Sequence, residues 1–147
     1  MFSAFDTSAS GLTAQRLRMD TISDNIANVN TTRSSDGEPY RRKVPVFEEK
    51  SGGRFSRLMN EELRSKGDND QGRGVVVRGI VEDDSPLERA YRPEHPDADE
   101  DGYVSLPNID VTSEMANMIE ASRAYEANIT ALDTHKNMAQ RAIQIGG

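Results

Sequence analysis

The sequence predicts a mainly α fold with a small β-rich insert, in which an N-terminal and a C-terminal helix pair as an α-helical coiled coil. Three observations carry this. Phe5, Leu12, Met19 and Ile26 recur seven residues apart near the start of the chain. Met115, Ser122, Ile129, Lys136 and Ile143 do the same near its end, as do Met118, Tyr125, Leu132 and Ala139. Between these ends stand short Val-rich and aromatic runs separated by Gly, Pro and Asp. A period of seven keeps one stripe of a helix turned toward a partner, whereas Val-rich runs between turn residues favour strands.

The first helix is expected from about Ser3 to Asn28. Three residues on from each member of its series stand Ser8, Gln15, Ile22 and Val29, so its second seam position is half polar. Gly11 weakens the helix by up to ~1 kcal/mol relative to Ala while permitting a close backbone approach. The stretch SDNIANVNTTR (Ser23 to Arg33) places Asn25, Asn28 and Asn30 among Ile26, Ala27 and Val29. Amides beside a seam hydrogen-bond across helices and fix register, and Asn30-Thr31-Thr32 supplies side chains that favour leaving the helix.

In the insert, Tyr40 to Phe47 and Gly74 to Val81 read as strands, with Pro45 placing the first on an edge. Tyr103 to Leu106 adds a short one. Ser51-Gly52-Gly53 and Lys66 to Arg73 read as flexible turns. The C-terminal helix is expected to begin with Thr112 or Ser113 as cap. It runs about thirty residues without Pro or Gly and stops at Gly146-Gly147. At 1.5 Å per residue it spans roughly 45 Å, long for a globular helix and ordinary for a coiled coil. The resulting division is a discontinuous helical domain, residues 1–32 with 108–147, and a β-rich insert with flexible loops, residues 33–107.

Composition limits what such a fold does. The 147 residues are only 35% hydrophobic and 5% aromatic, too polar for one large compact globule, so the seams want partner chains. A net charge of -7 argues against nucleic acid or anionic lipid as the main partner. Arg33 to Arg78 carries eleven basic and eight acidic residues, whereas Glu82 to Asp101 carries nine acidic and two basic. That asymmetry suits head-to-tail contact between copies, although taken alone a solvated charged loop explains it better. The absence of cysteine excludes disulfides and thiolate chemistry. No basic start followed by an apolar run marks a cleavable secretory signal, and no stretch approaches the ~20 apolar residues of a membrane span.

Catalytic equipment is not visible. Asp97-Ala98-Asp99-Glu100-Asp101-Gly102 matches the first half of a calcium loop, but the twelfth position is Asn108 instead of Glu, and Pro93 and Pro96 stand where a helix should be. An Asx-rich turn feeding a strand explains it better. His95 lies among those acids in a Pro-punctuated loop, and His135 lies in the charged stretch Asp133 to Lys136, so both read as surface histidines. Gly-rich phosphate loops, HExxH and GxSxG are missing. The expectation is a protein that is not an enzyme and holds no metal or cofactor. The glycosylation patterns at Asn30 and Asn128 read as chance matches.

Two terminal motifs carry a resemblance. SGLTAQRLRMDTISDNIANVNTT (Ser10 to Thr32) and EMANMIEASRAYEANITALDTHKNM (Glu114 to Met138) are similar to the N- and C-terminal motifs of the bacterial flagellar basal-body rod and hook family. DGEPYRRKVPVFEE (Asp36 to Glu49) and YRPEHPDADEDGYVSLPNIDVTSEM (Tyr91 to Met115) resemble its proximal rod members, as does the short length. The likeness covers about two thirds of the chain and is weakest from Lys50 to Arg73. It implies a structural subunit of the proximal rod that assembles helically into the periplasmic drive shaft and export channel. It also implies export through the flagellar type III apparatus without a cleaved signal. Partners would be copies of itself and other rod proteins, including the basal-body adaptor and distal rod subunits. Other axial members of the family are the nearest alternative; a cytosolic coiled-coil adaptor with a β-rich binding insert is a further one.

On this reading the assembly interface of the N-terminal helix comprises Phe5, Leu12, Met19, Ile22, Asn25, Ile26, Asn28, Val29 and Asn30. That of the C-terminal helix comprises Met115, Met118, Ile119, Ser122, Tyr125, Asn128, Ile129, Leu132, Ala139 and Ile143. The asparagines are expected to fix axial register between neighbouring subunits.

Overall fold

A computed structural model describes residues 2–34, 36–50 and 74–146. The turns expected at Ser51-Gly52-Gly53 and Lys66 to Arg73 lie outside these residues. Two long helices, α1 (Phe2–Ala27) and α2 (Val111–Gly146), bracket four strands: β1 (Lys43–Glu49), β2 (Val75–Glu82), β3 (Glu88–Tyr91) and β4 (Tyr103–Leu106). The helices run antiparallel. Asn25 meets Glu114, Met19 meets Ser122, Gly11 meets Asn128 and Phe5 meets His135, so residue numbers across the pair sum to nearly the same value. By that register the N-terminus of α1 faces the neighbourhood of Met138, and the last two turns of α2 project beyond it.

Small residues let the helices approach. Ser8 and Ala14 of α1 and Ala121 of α2 are buried, Ala121 completely. A Cβ on Gly11 would stand 2.8 Å from Asn128 Oδ1, so the glycine expected to permit close approach does sit beneath a side chain of the opposite helix. Among the described residues the remaining buried apolar groups are few: Ile22 on α1, and Val104, Pro107 and Ile109 around β4 and the link to α2. A core this thin leaves many apolar side chains at the surface.

The strands form two separate antiparallel hairpin-like sheets, β1 with β2 and β3 with β4. In the first, Val44 faces Val81 and Pro45 faces Ile80, with a bulge between Val46 and Phe47. Pro45 is tolerated because each strand of a two-stranded sheet has an open edge. The first two strands begin later than the sequence suggests, and β3 was not anticipated. Its four residues, Glu88 to Tyr91, carry two charges and lack the Val-rich signature, so pairing with β4 and not local propensity makes the strand.

The start of α2 also differs in detail. Asp110, and neither Thr112 nor Ser113, is the cap: its carboxylate accepts from the Thr112 and Ser113 amides and from the Ser113 hydroxyl. Its carbonyl accepts the Glu114 N–H at 3.0 Å. Asp outranks Thr at this position, and Ser113 serves as its partner. These bonds, the Ser113 hydroxyl first, hold the Asp110 carboxyl below its ordinary range. A lowered folded pKa stabilises the fold above the unfolded value and loses that contribution as pH falls through the folded one. Asp110→Ala is therefore expected to lower Tm at neutral pH, with the gap to the parent closing below about pH 4; melting curves at pH 7 and pH 3 measure both.

Candidate assembly surface and the network that anchors it

At the C-terminal end of α1, one buried amide joins three elements. Asn25 is 1% exposed. Its Nδ2 donates to the Lys43 carbonyl at 2.9 Å and to Glu114 Oε2 at 3.1 Å, while its Oδ1 accepts the Lys43 N–H at 2.9 Å and the Tyr40 hydroxyl at 3.1 Å. Both donors and both acceptor positions of the amide are used. Toward Lys43 the side chain presents one donor and one acceptor, as a neighbouring strand would, and so terminates the sheet on the helix.

Glu114, one turn into α2 and 1% exposed, extends the network. Its Oε1 accepts from Arg42 Nε at 2.9 Å and from Arg42 Nη2 at 2.7 Å, two bonds to one guanidinium. Arg42 also reaches Asp83 at 3.4 Å. Partial burial works against the guanidinium charge, but the bonds to Glu114 and Asp83 prevail and raise its pKa. Burial, followed by the charges of Asp24, Glu82 and Glu114, pushes the Tyr40 hydroxyl up, keeping it a donor to Asn25. Asp83 is held below the usual carboxylate range, chiefly by the Ser85 hydroxyl and amide. Asn108 completes the junction: its Oδ1 accepts the Arg42 N–H, and its Nδ2 donates to the carbonyls of Asp83 and Ser85.

A second junction lies fifteen residues back along α1. Ser10 Oγ donates to the Thr7 carbonyl and accepts the Val75 N–H at 3.0 Å. Helix rise puts Ser10 roughly 22 Å from Asn25, close to the length of a seven-residue strand at ~3.3 Å per residue. Since Glu49 pairs with Val75, the β1–β2 hairpin lies along α1 pinned at both ends. Gly74, at φ +88°, makes the second contact possible, because a Cβ there would stand only 2.3 Å from Ser10 Oγ. Gly74→Ala is expected to cost about 1–3 kcal/mol through the left-handed backbone and the clash together; urea unfolding of parent and variant measures it.

The residues expected at the interface divide into two groups. Ile22 and Asn25 are buried, and Phe5, Leu12, Met19, Ile26, Asn28 and Val29 are half-buried. So are Met118, Ser122, Tyr125, Asn128, Leu132 and Ala139, whereas Asn30 is exposed. The Asn28 amide donates to the Asp24 carbonyl and accepts from Thr31, wrapping the end of its own helix. Met115, Ile119, Ile129 and Ile143 stand open instead, and Val111, Met138 and Ile145 join them. Ile143 and Ile145, on the projecting turns of α2, are 76% and 86% exposed. A second open apolar group, Val76, Ile80 and Val81, lies on β2.

Sequence reasoning missed the polar junction. In the sequence Glu114 stands only within a terminal motif and Asn108 as a failed calcium ligand; the fold brings them together with Arg42. The Asp97 to Gly102 loop is an Asx turn: Asp99 Oδ1 accepts the amides of Asp101 and Tyr103, and Asp99 Oδ2 takes Arg89 at 2.6 Å. Asp97 accepts from Thr32 and pairs with Arg33. Among the described residues no helix is long and apolar enough to cross a membrane.

Comparison with known proteins bears on what these surfaces do. Residues 5–33 match the family model "Flagella basal body rod protein", and residues 100–145 match "Flagellar basal body rod FlgEFG protein C-terminal". The chain is 44% identical to the flagellar basal-body rod protein FlgC of Bacillus subtilis (strain 168), over 99% of this chain and 97% of that one. It is 45% identical to FlgC of Borreliella burgdorferi over the same shares. Against FlgC of Salmonella typhimurium it is 35% identical, over 99% of this chain and 98% of the relative.

Proposed function

Because this chain belongs to the FlgC family of flagellar basal-body rod proteins, we propose that its open apolar surfaces are the contacts through which it builds a helical rod. The protein is a structural subunit of the proximal rod. The observation that supports the mechanism is the set of bare side chains along α2, from Val111, Met115 and Ile119 to Ile143 and Ile145. Isolated soluble chains rarely keep such residues in water unless a partner covers them. A heterologous contact that does not close generates a shaft, and copies sharing it pass force from one to the next.

In this reading the two helices, residues 1–32 with 108–147, form one unit that winds with its neighbours as a coiled coil around the export channel. Residues 33–107 stand outside it. Met115, Ile119, Ile129 and Ile143 touch neighbours directly, with the half-buried seam residues completing the contact. Asn25 acts one step removed: it fixes the angle of the insert on the helices, and thereby the register at which copies stack. The subunit carries load and catalyses nothing. It leaves the cell through the type III apparatus, without a cleaved signal, to the periplasmic rod, where adaptor and distal rod proteins are its neighbours. Deleting the gene in frame is expected to abolish swimming and remove rods, with complementation restoring both. Mass spectrometry of purified hook-basal bodies that lack the chain would contradict the reading.

A further inference from the structure

Beside the polar junction lies an open cavity of about 270 Å³ between α1, β1 and the start of α2. Its apolar part includes Ile22 and Phe47, and its polar side holds Arg18, Lys43 and the mutually paired Arg42 and Glu114 of the junction. The volume falls short of the roughly 300 Å³ at which drug-sized sites begin and suits one protruding side chain. Neither peripheral cation is firmly committed. Arg18 meets only Glu120 at 3.2 Å, a partner 69% exposed, and such surface pairs hold weakly. The Lys43 ammonium lies 5.2 Å from the Tyr40 ring centre, and no ion pair among the described residues engages it. The cavity thus asks for an aromatic or apolar side chain with carboxylates beside it.

The same chain carries such a feature elsewhere. Tyr91, at the end of β3, is 65% exposed and packs edge-on against Tyr103 at 5.3 Å. Exposed acids surround it in sequence: Glu88, Glu94, Glu100 and Asp101. Of the two bases beside it, Arg89 is already taken by Asp99 at 2.6 Å, and the exposed Arg92 is outnumbered by the four acids. None of these residues lines the cavity, so knob and socket are separate features of one molecule.

We propose that the cavity is the receptor for Tyr91 of a second copy of this chain, with Arg18 and Lys43 meeting the acids that flank that tyrosine. Charge complementarity selects a second copy as occupant, since one chain bears both the cationic socket and the acidic aromatic knob. Because knob and socket are unlike surfaces, the contact is heterologous, and each copy offers a knob while receiving another. The inference rests on the rod-subunit reading, because that reading supplies the neighbouring copies that knob and socket require.

The absence of cysteine from the chain makes a direct test clean. A Lys43→Cys, Tyr91→Cys double variant is expressed as the only copy, and purified basal bodies are oxidised and run on a denaturing gel. A ladder of covalent dimers and higher multimers is expected, with no ladder from either single variant. Assembled rods that yield only monomer overturn the proposal, as does a crosslink to a different rod protein. If the double variant fails to assemble, charge exchange decides: Arg18→Glu and Glu94→Arg each reduce swimming, and the two together restore it. Singles that swim like the parent, or a pair without rescue, overturn the proposal equally. Failure of the rod reading itself looks different, because the parent chain would then be missing from basal bodies.

Discussion

Glu114→Ala is expected to destabilise the subunit by about 1–3 kcal/mol, the range for leaving buried donors without their acceptor, below that of a fully buried ion pair because Arg42 is 28% exposed and keeps Asp83. For a domain of this size that lowers Tm by roughly 5 °C. The reason lies in what is left behind. Arg42 loses two bonds at 2.9 and 2.7 Å, and Asn25 loses an acceptor within a site that water scarcely reaches. Glu114→Gln keeps one acceptor oxygen, turns an NH2 toward the other donor and offers no charge to the guanidinium, so an intermediate loss is expected. Replacing Glu114 and Arg42 together by methionine removes the uncompensated charge and should restore part of the stability. Thermal melts of the four proteins measure the series; a single Glu114→Ala variant as stable as the parent would mean that the junction carries no load.

The second large effect concerns assembly and leaves the isolated subunit almost untouched. Ile143→Asp with Ile145→Asp changes side chains that are 76% and 86% exposed on turns of α2 that project past α1. Substitutions at such exposed positions stay within about 0.5 kcal/mol of the parent. Placed in an apolar contact between copies, the same carboxylates would be buried without partners, at several kcal/mol each. The variant is therefore expected to melt with the parent, to be made and exported, and to form no rods and no swimming halo. Leu132→Asp, on the half-buried side of α2, should damage both stability and assembly. The contrast between the two positions separates contacts within a subunit from contacts between subunits. A motile Ile143→Asp, Ile145→Asp strain would remove the projecting tip from the interface.

Much of the architecture was legible because it rests on local periodicity. Both helices, the two longer strands and the short strand at Tyr103 all follow from apolar spacing and turn residues, which act over a few positions. Gly11 announced a close approach, and Asn128 fills that space. What the chain did not disclose was long-range. Heptad counting treats Phe5, Leu12, Met19 and Ile26 as the inward row with Ser8, Gln15, Ile22 and Val29 beside it, yet only Ser8 and Ile22 of these are buried, and Ala14, Thr21 and Asn25 join them. The hairpin lying along α1 accounts for part of the shift, because it engages Ser10 and Asn25 from a side that helix pairing alone leaves open. Asn25 belongs to that class. Its sequence context pointed to an amide that sets register, but the partner it holds is the backbone of Lys43, eighteen residues away in its own chain. Arg42, Asp83, Asn108 and Glu114 were invisible as a group, since no spacing rule links a strand end, a loop and a helix start.

The central claim is that the bare apolar side chains of α2 are closed by neighbouring copies in the rod. A cryo-EM map of purified basal bodies, resolved to side chains at the proximal rod, tests it most directly. The expected result places Met115, Ile119, Ile143 and Ile145 of each subunit within about 4.5 Å of apolar atoms of adjacent chains, with α1 and α2 lining the channel wall. A map in which this chain occupies the rod while those side chains face open solvent would contradict the account.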